Sequence, residues 1–133
     1  MQYDEFVGKV HNQARLASSG EAVRAIQATL ETLAERIAGQ EAEDLAAQLP
    51  REVGKFLRGV EKAERFAVDR FFERVAAKES TDVPDAVHHA RAVMAVVQEA
   101  VTTGEVEDIR AQLPDDYTPL FEAGSEGEMD IEV

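Results

Sequence analysis

The sequence predicts an all-α protein in which two tandem copies of a four-helix unit pack into one compact bundle. A ten-residue segment that begins at Glu41 recurs from Glu105, and seven of its ten residues are identical in the two places. Upstream of each segment, apolar residues step by three and four along a long stretch, which is the stripe of an amphipathic helix. No segment alternates apolar and polar residues over the length of a strand. Helices are therefore expected throughout.

Each copy reads in the same order: a first helix, a long amphipathic second helix, a short third helix ending in Gln-Leu-Pro, and a terminal helical turn. In the first copy we predict these elements at residues 3–15, 20–38, 41–48 and 51–57. In the second copy we predict them at 67–78, 83–102, 105–112 and 115–121. The long helices align at an offset of 64 residues, whereas the first helices align only after a one-residue slip. The slip falls between helices, where loop length varies most easily.

The starts of the two long helices carry the same signature. Ser18 stands three residues before Glu21, and Asp82 stands three residues before Asp85. A short side-chain acceptor can cap the free amides of a first turn, and an acid in that turn suits the helix dipole. Both positions therefore predict a helix start.

The third helices are bounded in the same way in both copies. Gly39 and Gly104 mark the break before each of them, and Pro50 and Pro114 follow their last turns. Proline cannot continue the hydrogen-bond ladder of a helix, so it predicts the stop.

These elements divide the chain into four parts. We predict a first helical repeat over residues 1–57, a charged connector over 58–66, a second repeat over 67–123 and an acidic flexible tail over 124–133. Two repeats of this size would each have a marginal core alone, so one shared core is expected.

Composition excludes several function classes. The chain has 27 acidic and 14 basic residues, a formal net charge of −13, and no cysteine. The charge disfavours direct binding to nucleic acid or anionic membranes, and the lack of cysteine excludes thiolate chemistry and cysteine-ligated metals. No apolar stretch approaches the ~20 residues of a membrane span, and the N-terminus does not resemble a secretory signal, so we expect a cytoplasmic protein. The acid excess resembles that of proteins from salt-loving organisms.

The motifs as a set resemble a known family. They are the paired Glu-x-Glu-Asp-(Leu/Ile)-x-Ala-Gln-Leu-Pro segments, Tyr-Asp-Glu-Phe near the start, and the Leu-Phe-Glu-Ala-Gly run at residues 120–124. Over residues 3 to 124 the chain resembles domain-of-unknown-function family 2267, uncharacterised helical proteins of prokaryotes, and in particular its haloarchaeal members. The resemblance implies a duplicated helical fold in the cytoplasm. It implies no activity, cofactor or catalytic residue.

The candidate metal ligands are Asp85, His88 and His89. Asp85 precedes His88 by three residues, which places both side chains on one helical face, as in the Glu-x-x-His pairs of di-iron bundles. The first copy has Glu21 and Arg24 at these positions, so a second half-site is missing. In the alternative interpretation, both histidines lie at the margin of the buried stripe and contact nearby acids.

Other notable residues of the two copies are predicted to have structural roles. The acid pair Glu43 and Asp44 and its counterpart in the second copy suit the first turns of the third helices. Gln48 could bridge to another segment. Phe71 and Phe72 cannot both face one narrow stripe, so one is expected between copies or in a subunit interface.

No motif for catalysis or a cofactor is present, so we predict a non-enzymatic protein-interaction or scaffold module. Its partner is an unidentified protein, with a basic surface favoured by charge, and a homodimer is one candidate assembly. The alternatives are a small-ligand or metal-binding protein using the His88 and His89 region, and an acidic mimic of nucleic acid.

Overall fold

The computed structural model describes residues 1–122, and every regular element within them is helical, so the all-α prediction is confirmed. The elements are α1 (Tyr3–Ala14), α2 (Ser19–Ile37), α3 (Gly39–Gln48), α4 (Arg51–Gly54) followed by a 3₁₀ turn (Lys55–Leu57), α5 (Val68–Glu79), α6 (Val83–Ala100), α7 (Thr103–Ala111) and a 3₁₀ segment (Asp115–Phe121). Residues 124–133, the predicted acidic tail, lie outside the described part of the chain. Within residues 1–122, no helix is both long enough and apolar enough to cross a membrane.

The predicted starts of the long helices are confirmed. The hydroxyl of Ser18 accepts a hydrogen bond from the amide of Glu21 at 3.2 Å, and the carboxylate of Asp82 accepts one from the amide of Asp85 at 2.9 Å. The start of α7 lies two residues earlier than expected because Thr102 caps it, accepting a hydrogen bond from the Glu105 amide at 3.1 Å. Because Thr102 is the cap of α7, α6 ends at Ala100, two residues before its predicted end.

Four helices form the bundle. Helix α1 packs against α2 and α6, α5 packs against the same two helices, and α2 packs against α6. Helices α3 and α7, each downstream of a long helix, contact each other. The same order and similar lengths recur in the two halves of the chain, and the tandem duplication of one unit stays a prediction.

The core is aliphatic with a few aromatic anchors. Phe6, Phe71 and Tyr117 are among its largest fully buried side chains. Phe71 and Phe72 are both buried and meet edge to face, with ring centroids 5.9 Å apart. Both can be buried because α5 packs against two helices, α2 and α6, and so presents a wide face to the core.

The connector, residues 58–66, forms no helix and is attached to the bundle by its backbone. The carbonyl of Phe66 accepts hydrogen bonds from Arg36 Nε at 2.9 Å and from the Tyr117 hydroxyl at 2.7 Å. The Glu64 amide donates to the Glu35 carbonyl at 2.9 Å. The buried guanidinium of Arg36 also faces the Tyr117 ring at 5.3 Å. These contacts hold both halves of the chain to the connector.

Candidate functional site

A cleft of about 540 Å³ lies where two loops of the bundle meet. We call residues 15–18, between α1 and α2, the first corner, and residues 80–82, between α5 and α6, the second corner. The cleft is lined by both corners, the ends of α1 and α5, and the first two turns of α2 and α6. Its polar and charged lining side chains are Arg15, Glu21, Arg24, Glu79, Ser80, Thr81, Asp85, His88 and His89.

The two corners have the same backbone construction. Arg15 follows α1 with φ of 55°, and Ser80 follows α5 with φ of 58°, so both lie in the left-handed region. The amide of the next residue then bonds back to a carbonyl five residues earlier, from Leu16 to His11 at 3.1 Å and from Thr81 to Ala76 at 3.0 Å. This pattern closes the exposed carbonyl end of a helix and turns the chain sharply. The second helix of each pair therefore starts beside the end of the first.

The cleft contains a hydrogen-bonded pair of buried Glu79 and half-buried His89 that only the tertiary structure reveals. His89 Nδ1 lies 2.6 Å from Glu79 Oε1. The Glu79 side chain is 5% exposed, and its other oxygen, Oε2, is buried with no hydrogen-bond partner among residues 1–122. The hydrogen bond to Glu79 raises the pKa of His89 above its usual 6.5 despite the opposing effect of burial, and the charges of Asp85 and Glu21 act in the same direction. Glu79 thus favours the protonated form of His89 and keeps one acceptor without a partner within residues 1–122.

Glu79 was not identified from the sequence, although a signal for it exists. Phe72, Val75 and Ala76 form the buried stripe of α5, and Glu79 continues that stripe at helical spacing. An acid on a buried stripe needs a partner or a ligand, because a charge without one is costly to bury. That spacing could have singled out Glu79.

His88 joins the two sides of the cleft. Its Nε2 atom lies 3.2 Å from the carbonyl oxygen of Ala14, the last residue of α1. Since a carbonyl can only accept, His88 donates this hydrogen bond and carries its proton on Nε2. His89 contacts an acid as the alternative interpretation expected, whereas His88 contacts a backbone carbonyl.

The three candidate metal ligands line one cleft but have separate partners. Asp85 accepts a hydrogen bond from the Thr81 hydroxyl at 3.5 Å, while His88 and His89 are bonded to Ala14 and Glu79. In the part of the chain that the structure describes, no three histidine or acidic side chains are grouped to hold a metal ion. The geometry thus adds no support to the metal hypothesis.

The arginines of the cleft are available to a ligand. Arg15 and Arg24 are exposed side chains from the first corner and from α2. Over residues 1–122 neither forms an ion pair. Glu21 lies near them, and it accepts a hydrogen bond from the Ala17 amide at 3.2 Å.

A second group of acids lies where α3 and α7 meet. Glu105 is buried, its Oε2 atom has no hydrogen-bond partner among residues 1–122, and burial followed by the charges of Asp44, Glu41 and Asp108 raises its carboxyl pKa. Burial, and then the charges of Asp108 and Asp44, likewise raise the pKa of Glu41.

Gln48 bridges α3 to the start of α7. Its side chain accepts a hydrogen bond from the Thr102 amide at 2.9 Å and donates one to Glu105 at 3.5 Å. The predicted acid pair of α3 has local partners, since Glu43 binds Arg58 and Asp44 accepts from Gln40 at 2.8 Å. These contacts join α3 to α7.

Comparison with known proteins identifies a family but no described relative. No curated protein matches the chain. A family model described as an uncharacterized conserved protein, domain-of-unknown-function family 2267, matches residues 3–120, which include both corners and every helix of the bundle. The chain therefore belongs to domain-of-unknown-function family 2267.

Proposed function

We propose that this protein binds a small polar molecule in the cleft between the two corners. The observation that carries the proposal is the pair of buried Glu79 and half-buried His89, both of which line this cleft. The Oε2 atom of Glu79 has no hydrogen-bond partner within residues 1–122. Ala14 and Ala25 occupy the corresponding places of the first corner: Ala14 ends α1, and Ala25 follows its helix cap by the same seven residues as His89. A corner of this shape therefore forms without an ionic pair.

The size and lining of the cleft support a small and polar ligand. Its volume of about 540 Å³ lies within the range of about 300–1,000 Å³ that is usual for small-molecule sites. Such sites are mostly apolar, whereas nine of the twelve residues that line this cleft are polar or charged. A hydrophobic ligand would leave these groups desolvated and unpaired, which favours a ligand with several hydrogen-bonding groups.

The proposal is one of binding without covalent chemistry. A histidine oriented by a carboxylate through Nδ1 resembles a general base. A nucleophile that such a base activates lies within hydrogen-bond reach of the ring. Among the side chains of residues 1–122, His89 has its hydrogen bond to Glu79 and none to a hydroxyl.

The finer sequence predictions remain proposals. The shared corner construction, the matched caps and the equal lengths of α1 and α5 support a tandem duplication. A scaffold role is supported by the acidic charge of the chain and not by an apolar docking surface. Within residues 1–122, the large apolar side chains that are exposed are Met1 and Val83. Cytoplasmic location, adaptation to brine, a basic protein partner and a homodimer remain predictions.

The test is a binding screen read out at the cleft. The ¹⁵N-labelled full chain is titrated with a library of small polar metabolites, and amide shifts are mapped along the chain. We expect hits to move amides of residues 14–17 and 79–89. The variant Ser80→Trp, which places a bulky side chain in the cleft, should abolish these shifts. Ala77→Trp, at an exposed position of α5 away from the cleft, should preserve them. Equal binding by both variants, or no shift at the corners with any compound, would overturn the proposal.

A further inference from the structure

The charges of the cleft are divided between its two sides. The first corner and α2 contribute two arginines and one acid, Arg15, Arg24 and Glu21. The end of α5 and the start of α6 contribute two acids and two histidines, Glu79, Asp85, His88 and His89. The hydrogen bond from His88 to Ala14 spans the two sides. A ligand between them meets two guanidinium groups on one side and two carboxylates on the other.

We infer that the ligand is a zwitterion of the amino-acid class, with a carboxylate bound by Arg24 and Arg15 and a protonated amine bound by Glu79 and Asp85. This inference rests on the proposed function of the cleft. A guanidinium binds a carboxylate through two parallel hydrogen bonds, which suits Arg24 to the anionic end.

The buried oxygen of Glu79 indicates which kind of cationic group the ligand carries. Glu79 is 8% exposed, and Oε2 has no donor within the described residues. Leaving a buried acceptor unpaired is costly, and a ligand that donates a hydrogen bond to it removes that cost. A primary ammonium carries such donors. A trimethylated ammonium has the same charge and no donor, so it leaves Oε2 unsatisfied.

The opposed charges also argue against ligands of a single sign. A simple amine leaves the arginines without a counter-ion, and a simple carboxylate brings a negative charge toward Glu79 and Asp85. Each would therefore form only one of the two sets of charge-assisted hydrogen bonds, which are the stronger kind. Both ends are needed for the full affinity.

The experiment compares four compounds that share the same four-carbon chain: 4-aminobutyrate, butylamine, butyrate and 4-(trimethylammonio)butyrate. Glycine and 6-aminohexanoate extend the zwitterion series to shorter and longer charge separations. Affinities are measured by amide shifts on the full chain at constant ionic strength. We expect the best zwitterion to bind about tenfold or more tightly than butylamine, butyrate and the trimethylated compound.

Variants assign the two ends of the ligand. Arg24→Ala and Glu79→Gln should each weaken the best zwitterion about tenfold, while Arg51→Ala, an exposed arginine outside the cleft, should leave its affinity unchanged. Asp85→Asn, on the exposed part of the same side, replaces Glu79→Gln if that variant does not fold, as judged by circular dichroism.

The outcomes separate this inference from the proposed function. If the cleft binds butylamine or butyrate as tightly as every zwitterion, the inferred ligand class is wrong and a small-ligand site remains. Binding of the trimethylated compound equal to that of 4-aminobutyrate would refute the role of Glu79 Oε2. If none of these compounds binds but other library members shift the corner amides, the zwitterion class is excluded. If nothing shifts them, the proposed function itself fails.

Discussion

The two corners share a backbone and differ in chemistry. Each has a left-handed residue after a helix of 12 residues and a side-chain cap at the start of a long helix. Beneath the first corner lie two buried alanines, Ala14 and Ala25, whereas Glu79 and His89 lie beneath the second. Because the alanine version forms the same turn, the ionic pair is not required to build the corner. Its placement beside the cleft is consistent with the proposed ligand site.

The largest expected effect comes from separating the pair. At pH 6, Glu79→Ala should lower the free energy of unfolding by about 1–3 kcal/mol, because it leaves Nδ1 of the half-buried His89 without its hydrogen-bond partner. The double variant Glu79→Ala/His89→Ala gives the second corner the two alanines that lie beneath the first corner. Its free energy of unfolding should be within about 1 kcal/mol of that of the original chain. Urea denaturation followed by circular dichroism measures both. A double variant as unstable as the single one would show that the second corner requires its pair.

The pH dependence sharpens the same test. The pKa of His89 is raised in the folded chain above its ordinary 6.5, so folding favours the protonated ring. The resulting stabilisation is present in full below about pH 6.5 and is lost as pH rises through the raised value. The free energy of unfolding of the original chain, taken relative to that of the double variant, should therefore fall as pH rises. A difference that is constant from pH 5 to 9 would contradict the role of the proton.

A second comparison between the halves involves the acids of α3 and α7. Glu105 is buried and Glu41 is partly exposed, although each stands in the first turn of its helix. The raised pKa of Glu105 means that its ionised form opposes folding at pH 7, so Glu105→Gln should stabilise the chain by about 1 kcal/mol. The gain should shrink as pH falls through the raised pKa of the folded state, and it should vanish well below pH 4.5, where the carboxyl is protonated in both states.

Thermal denaturation at pH 7 and pH 4 measures this gain. Glu41→Gln serves as the matched control and should give a smaller increase. A loss of stability in Glu105→Gln at pH 7 would show that the carboxylate, in its contact with Gln48, favours the fold.

The smallest expected effect tests whether the left-handed residues of the two corners carry the same backbone strain. Arg15→Gly and Ser80→Gly place glycine where the left-handed conformation is strained for other residues. Each should raise the free energy of unfolding by about 0.5–1 kcal/mol, and by similar amounts. Urea denaturation gives the values. Unequal or opposite effects would mean that the two turns are held by different forces.

The fold was largely predictable, because its determinants are local. The caps at Ser18 and Asp82 and the stops before Pro50 and Pro114 depend on a few neighbouring residues, and the structure confirms them. The candidate site was only half predictable. His88 and His89 were singled out by residue type, and local spacing placed Asp85 on the same helical face as His88. In the folded chain His88 contacts the carbonyl of Ala14 instead. The histidine with an acidic partner is His89, whose partner Glu79 lies ten residues before it.

By itself the sequence determined where helices start and stop, which residues form their apolar stripes, and that matching segments recur. These follow from backbone hydrogen bonding and from periodicity within one helix. Only the tertiary structure decided that the two corners face one cleft, because this depends on α1 packing against α6 and α5 against α2. It also decided that Glu79 and Glu105 are buried while most other acids of residues 1–122 remain exposed. Burial is set by the neighbouring helices, and it changes a carboxylate from a solvated charge into a group that needs a partner.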